Sequence, residues 1–519
     1  MTYTGHPPTT GGRWWALAAL ALSMLTIGLD ATVLNVALPT LATELNASTS
    51  QLQWFGAAYT LVLGALIIPM GSLGDRFGRK RLLLAGLAVF GASSAVCAFA
   101  NSAGVLIAAR AAQGVGGAMM IPLSTAMLTV LFHDREERSR AMNIWVTSSA
   151  IGLPLGPIVG GWLLNHFAWG SVFLINVPLV AVGLLALTVY LPESRSERTQ
   201  PADGPGIVLS SIGLVAAIYG LIQAGQDGWT SASVLAPLLA GVALLAAFVA
   251  WERHSTHPIV DLALFSNRDF TVGTGLSTIA NFALFGLLFV MPQYFQDVGG
   301  SDPLGTGVRL LPMIGGMIVA TRIGPMLVKR AGARFVIIAG LALSVAALGL
   351  AATTDVGTGY AFAAAWITLL GVGIGLLMPA SMTVAIGALS RERAGSGSGL
   401  MQALRQVGGT IGIAILGTVL SSGYHAQLDG GDVPSSAEGA VRSSVGGGIE
   451  VANRLGSAEL AQTVRSAFVH GMDTVMLASA ALTILGIVIA VLYLPRRVAE
   501  TPAPTASAQA PVPEANVAN

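Results

Sequence analysis

Apolar runs of membrane-crossing length recur along the whole chain, separated by polar turns. Fourteen can be read, at 14–39, 54–73, 82–100, 103–131, 140–165, 171–191, 206–223, 233–251, 270–295, 306–328, 335–353, 358–387, 398–422 and 468–494. Most are near the ~20 residues that a bilayer-spanning helix requires. Uninterrupted runs of this length predict helices, and lipid leaves their backbones no open alternative. The pattern therefore predicts an all-α integral membrane protein. The turn between the second and third runs is the densest polar feature. Gly71-Ser-Leu-Gly-Asp-Arg-Phe-Gly-Arg-Lys-Arg81 sets one acid and four bases among three glycines.

Positive charge is distributed unevenly about these spans. If residue 1 lies inside, the inside segments hold 19 of the 26 Lys and Arg. The asymmetry predicts cytoplasmic N- and C-termini and an even number of spans. The first run follows Arg13 but carries Asp30 and is too long for a signal h-region, so it is expected to stay as a helix. Composition agrees: 54% of residues are hydrophobic and 10% charged, against roughly 25% charged in soluble domains. A net charge of +1 gives no field for nucleic acid. Cys97 is the only cysteine, so no intramolecular disulfide or zinc cluster is expected. His254 and His257 have too few companions for a metal site. No Gly-Lys-Ser/Thr phosphate loop and no Gly-x-Ser-x-Gly elbow occurs. The chain is not expected to be an enzyme or to need a cofactor.

A faint repeat divides the chain. Arg76, Gly78 and Ala85-Gly-Leu87 recur at Arg330, Gly332 and Ala339-Gly-Leu341. Gly114-Val-Gly116, Pro122 and Ser124 recur at Gly371-Val-Gly373, Pro379 and Ser381. Two matches in order, at nearly one offset, argue for two six-helix halves. The expected organisation is a cytoplasmic N-terminus (1–13), a first half (14–191), an inserted two-helix region (192–269), a second half (270–494) and a disordered tail (495–519). Residues 424–465, rich in Gly and Ser, are expected to form a flexible outside loop.

Several polar residues stand where lipid makes them costly. Asp30 lies about nine residues from the outer end of its run, hence ~13 Å deep. At ~3 kcal/mol or more for such a charge, it should face water, pair with a base, or hold a proton. Arg110, at similar depth in the fourth run, is the natural partner. A static buried pair, or an acid that only pins helices, is the structural alternative. In the fifth run, Gly152, Gly156 and Gly160 share one face for close helix contact, and Pro157, followed by Gly160-Gly161, removes a backbone donor. In the turn, Gly71 and Gly74 permit close packing and Gly78 a positive φ, while Asp75 could cap the third helix. Gln113 offers an amide to a cavity. Asp297, Asp302, Asp355 and Asp473 sit near outer edges, so no second acid at membrane depth is expected.

These motifs resemble those of the major facilitator superfamily, in its fourteen-span drug:proton antiporter branch of multidrug-resistance exporters. The resemblance rests on the Gly71–Arg81 turn, Leu29-Asp-Ala-Thr-Val-Leu-Asn-Val-Ala-Leu-Pro39, Arg110-Ala-Ala-Gln-Gly-Val-Gly-Gly-Ala118, Gly152–Gly161 and Phe173–Pro178. Trp169-Gly-Ser171 departs from the branch's Trp-Arg-Trp. The resemblance implies a monomer in the bacterial cell membrane that exports amphipathic drugs against protons by alternating access. It implies proton coupling at Asp30 and Arg110, and a conformational latch at Gly71, Gly74, Asp75, Arg76, Gly78 and Arg79. It implies an antiporter motif at Gly152, Gly156, Pro157, Gly160 and Gly161. Asn35, Gln113 and Arg405 are candidates for the substrate cavity. A dedicated exporter of one metabolite or lipid, and a non-transporting sensor on the same scaffold, remain alternatives.

Overall fold

A computed structural model of the chain describes residues 2–3, 10–195, 203–390, 393–428 and 438–494. The tail expected to be disordered (495–519) lies outside them. Among the described residues, fourteen helices are long and apolar enough to cross a bilayer. They are α1 (Gly11–Glu44), α2 (Thr49–Phe77), α3 (Arg79–Ala98), α4 (Ala103–Leu131), α5 (Arg135–His166), α6 (Ser171–Tyr190), α7 (Gly204–Asp227), α8 (Ala232–His254), α9 (Arg268–Val298), α10 (Pro303–Ala331), α11 (Ala333–Ala351), α12 (Tyr360–Gly387), α13 (Ala394–Leu428) and α14 (Ala458–Tyr493). The only strands among the described residues are Thr2–Tyr3 and Ser194–Arg195, paired antiparallel.

Polar side chains start several helices where backbone N–H groups would otherwise be orphaned. Ser48 and Gln51 form a capping box on α2. Asp134 caps α5, accepting from the N–H groups of Glu136 and Glu137 at 3.0 and 2.9 Å. The bond from the Glu137 N–H is the main reason its carboxyl is held below the ordinary carboxylate range. The stabilisation from this cap is complete above that range and is lost as pH falls below it, through the carboxyl's own lowered pKa.

The repeat is visible in the packing. Gly78 and Gly332 start α3 and α11 with φ of +112° and +84°. Carbonyl Gly86 lies 2.7 Å from where a Gly116 Cβ would stand, and Gly340 repeats this with Gly373 at 2.7 Å. In both halves bare backbone meets bare backbone at the same place, which is why glycine recurs there.

The bundle has two ends, a basic one carrying the Gly78 turn and an opposite, far one. At the far end one apolar core draws on both halves, including Leu34, Phe55, Trp366 and Phe468. Toward the basic end the core divides. One cluster holds Leu20, Phe90 and Met127 of the first half, and another holds Leu276, Ile337 and Leu377 of the second. On α5 and α10, Gly161 lies against Leu304 and Gly307 against Pro157, whereas Gly315, two turns nearer the basic end, meets nothing within 4 Å. The halves thus share one core at the far end, while toward the basic end each half has largely its own, with α2 and α13 still meeting where Gly64 lies against Gln406 and Val407.

The inserted pair docks on a seam between halves. On α7, the Leu221 and Gly225 carbonyls accept from Thr418 at 2.7 Å and Ser421 at 3.1 Å of α13. Its Tyr219 ring stands 6.3 Å from Trp54 of α2. In turn α8 packs on α7, with Gly241 against the Ala217 backbone.

The expected flexible loop at 424–465 is corrected for its described residues. The flanking helices extend to Leu428 and back to Ala458, and two short helices, Glu438–Ser443 and Val445–Leu455, form between them. Val441, Val445 and Ala452 are buried, and the Tyr424 hydroxyl donates to the Val441 carbonyl at 2.7 Å. Burial of three small apolar side chains orders a stretch whose composition reads as loop. This cap reaches across the seam: Thr49 of α2 donates to the Ser443 carbonyl at 3.1 Å, and Gly446 lies against Ala42 of α1.

Candidate functional site

Asp30 sits inside the first half with no exposed surface, and Arg110 is 1% exposed. Of the three fates open to a deep acid, this structure shows pairing with a base. Arg110 Nη1 donates to Asp30 Oδ2 at 2.6 Å. Gln113 and Asn176 each donate through their amide nitrogens to Oδ1 at 2.8 Å. Every partner is an N–H donor, the bonding pattern of an ionised carboxylate. The guanidinium is held by the Phe55 carbonyl at 3.1 Å and Gln113 Oε1 at 2.7 Å. The Tyr59 ring lies over it at 4.5 Å. Ser94 accepts from Gln113 at 2.8 Å and from Asn176 at 3.4 Å. Five helices, α1, α2, α3, α4 and α6, therefore converge on one charge pair.

Gln113 is corrected here. The expectation placed its amide in the cavity, but three residues after Arg110 it turns onto the same face and is fully buried in the network. Asn176, Ser94 and Tyr59 were not singled out from the sequence. The available signal was polarity inside apolar runs: Asn176 follows a break in α6 at Ile175, and Ser94 belongs to a Ser-Ser pair in α3.

The glycine motif of α5 packs onto α1 beside this site. A Cβ on Gly152 would stand 2.7 Å from the Leu25 carbonyl, and one on Gly160 2.7 Å from the Val33 side chain. Gly156 faces Thr32 and the Leu29 carbonyl, while Gly161 turns the other way, onto Leu304 of α10. Pro157 has no N–H for the Leu153 carbonyl, one turn back. Thr32, two residues from Asp30, supplies that bond at 3.0 Å. Thr32→Val should leave this carbonyl unpaired between α1 and α5. A loss of about 1–3 kcal/mol is expected, seen as a lower melting temperature of the purified protein with normal expression of a Thr32→Ser control.

In the turn, Asp75 does not cap α3. It pairs with Arg79, whose Nε and Nη2 both reach Oδ1 at 2.7 Å. Glu193, beyond α6, takes the capping place: it accepts from the Lys80 N–H at 3.2 Å and lies 3.6 Å from Arg81 Nε. Its Oε1 would be 2.8 Å from a Cβ on Gly78, so that glycine is required by space as well as by φ. Gly74 fits against Leu123 and Gly71 against Pro122 of α4, and Arg76 lies over the Phe77 ring. Among the described residues, Asp75 and Arg79 pair with each other and with nothing in the second half.

Two polar groups remain unspent near the seam. Asn35 is buried with its amide nitrogen unpartnered, and Arg405 is half-buried with an unpartnered Nε. Asn281 donates to the Arg405 carbonyl at 2.7 Å, which ties α9 to α13 there.

Two six-helix repeats joined at one end, with a sealed acid–base pair inside the first, define a membrane transporter scaffold. The chain belongs to the Major Facilitator Superfamily, which matches residues 20–413. It is a multi-pass cell-membrane protein and not an enzyme. It is 35% identical over 504 residues to the multidrug efflux pump LfrA of Mycolicibacterium smegmatis, covering 93% of this chain and 98% of that one. The tetracenomycin C resistance and export protein of Streptomyces glaucescens is 34% identical over 421 residues, 80% of this chain and 78% of that one. Among solved structures, a bacterial homolog of the human lysosomal transporter Spinster, in an inward-facing and unoccupied conformation, superposes with a TM-score of 0.68. It is 18% identical and covers 95% of this chain and 100% of that one, a likeness of fold.

Proposed function

We propose that this chain is a proton-coupled exporter of amphipathic drugs and antibiotics that works by alternating access. The observation that carries the proposal is the Asp30–Arg110 pair, buried and bonded to Gln113, Asn176 and the Phe55 carbonyl, in a scaffold whose relatives are resistance exporters. With the basic end in the cytoplasm, we read the described state as closed outside and open inside. The ionised Asp30 then belongs to the stage after proton release inward. Opening to the outside would loosen the cage, admit a proton to Asp30 and release substrate. Return of the loaded carrier lets the proton leave toward the cytoplasm. Proton entry gains ~2.3 kcal/mol per 100 mV of membrane potential, which drives export.

Asn35 and Arg405 are the polar contacts assigned to substrate, the rest of the grip being apolar. Asp75, Arg76 and Arg79, with Gly71, Gly74 and Gly78, form the latch that engages the second half when the basic end closes. In the open-inside state that latch is disengaged. A narrower reading, export of one metabolite, draws on the tetracenomycin C relative.

Everted vesicles separate these readings. With an acid lumen, a panel of amphipathic cations, anions and neutral compounds should accumulate, and nigericin should abolish accumulation. Uptake of a single panel member would favour the narrow reading. No pH-gradient-dependent uptake of any compound would leave a non-transporting sensor and sink the proposal.

A further inference from the structure

A groove of about 510 Å³ opens on the outer surface of the second half, between α9 and α14 at the basic end. Phe265, Arg268, Gly275, Ile279, Ile489 and Tyr493 line it. Arg268 is the first residue of α9 and Tyr493 the last of α14, so the mouth lies at the boundary where Tyr and Arg anchor helices. From Arg268 to Ile279 the groove runs ~16 Å along α9 at ~1.5 Å per residue, about half of a ~30 Å hydrocarbon core. It is one leaflet long.

The charge at the mouth is not spent. Arg268 gives Nη2 to the Leu492 carbonyl at 3.1 Å and stacks on Tyr493 at 4.7 Å. Its Nε and Nη1 have no partner among the described residues. Arg334, the other cation bonded to this helix end among the described residues, differs: both Nη atoms are committed, to the Leu494 and Val491 carbonyls. Asp269 is the neighbouring acid, one residue on and about 100° around the helix from Arg268. Gly275 makes the depth, since a Cβ there would meet nothing within 4 Å.

We propose that this groove holds one acidic phospholipid, its phosphate on Arg268 and an acyl chain over Gly275 toward Ile279. A stacked guanidinium with free donors matches a phosphodiester, and a dry slot one leaflet long matches a lipid chain. The site lies outside the two-half pathway and stands whether or not the proton mechanism does.

The test is lipid retention by the purified full-length protein, taken from nanodiscs of phosphatidylglycerol and phosphatidylcholine and read by native mass spectrometry. The wild type should retain one phosphatidylglycerol in preference. Arg268→Gln should cut that retention about fivefold, ~1 kcal/mol at ~1.4 kcal/mol per decade. Gly275→Leu fills open space and so folds; it should lower retention of both lipids. Arg253→Gln, an exposed arginine at the same end on α8, should change nothing, and excess inorganic phosphate should not displace the lipid. The proposal is overturned if Gly275→Leu retains lipid as the wild type does, if Arg253→Gln loses as much as Arg268→Gln, or if phosphate displaces the lipid.

Discussion

Asp30→Asn is expected to lower pH-gradient-driven drug uptake into everted vesicles by about 100-fold or more, roughly 2.7 kcal/mol on the barrier. Asn keeps the size of the side chain and removes the charge that Arg110, Gln113 and Asn176 all address. Removing one member of a buried pair costs about 3–5 kcal/mol, because the other charge is left without compensation. The single variant could therefore fail by misfolding. Asp30→Asn combined with Arg110→Gln removes both charges and separates the two causes. In whichever variant keeps the wild-type gel-filtration profile, substrate counterflow should continue, since exchange without net driving force needs no proton. Drug-induced proton movement should be absent. Gradient-driven uptake at the wild-type rate in either variant would show that Asp30 pins helices and couples nothing.

The sealing of Asp30 sharpens this expectation. With no exposed surface the carboxylate has no contact with solvent in the described state. On the proposed mechanism, release and uptake of a proton require that α1, α4 or α6 shift, so coupling and conformational change would be one event. A static pair would show no such link. Thr32 bears on the same point, because its bond to the Leu153 carbonyl joins the helix of Asp30 to the proline of α5.

The fourteen spans and the pairing of Asp30 with Arg110 could be read from the chain for one reason. Lipid penalises polar groups so heavily that each exception in an apolar run carries information. The repeat could be read through Gly78 and Gly332, where φ is positive, and through Gly116 and Gly373, where backbone contact leaves no room for a Cβ. What stayed hidden depends on helix rotation and distant partners. Gln113 has the same polarity whether it faces a cavity or a buried acid, and only the rotation of α4 decides. Glu193 lies 113 residues from the Lys80 N–H it accepts from, so no local pattern could favour it over Asp75 as the cap of α3. The cap helices were hidden by composition. Their Gly and Ser content reads as loop, while the burial of Val441 and Val445 is a tertiary fact that composition does not carry.

Those cap helices yield the second large effect. They belong to the second half by chain connection, by the Tyr424 bond to Val441 and by Gly448 against Val464 of α14. Yet they rest on α1 and α2 of the first half, at the end where the halves are joined. Opening that end must break these contacts. A Cβ built on Gly446 stands 3.6 Å from the Ala42 Cβ, within the ~3.5–4.5 Å that a disulfide spans. Ala42→Cys with Gly446→Cys should therefore crosslink on mild oxidation, in a chain whose only native cysteine, Cys97, is buried. The crosslinked protein should lose drug efflux to background, and dithiothreitol should restore it. Each single variant should transport as the wild type does, with or without oxidant. Gel mobility after oxidation and cleavage between the halves reports the crosslinked fraction, and the residual rate should equal the uncrosslinked fraction. Full efflux from fully crosslinked protein would mean that the far end opens without lifting the cap from α1. The cap would then be an ornament of the second half and no part of the gate.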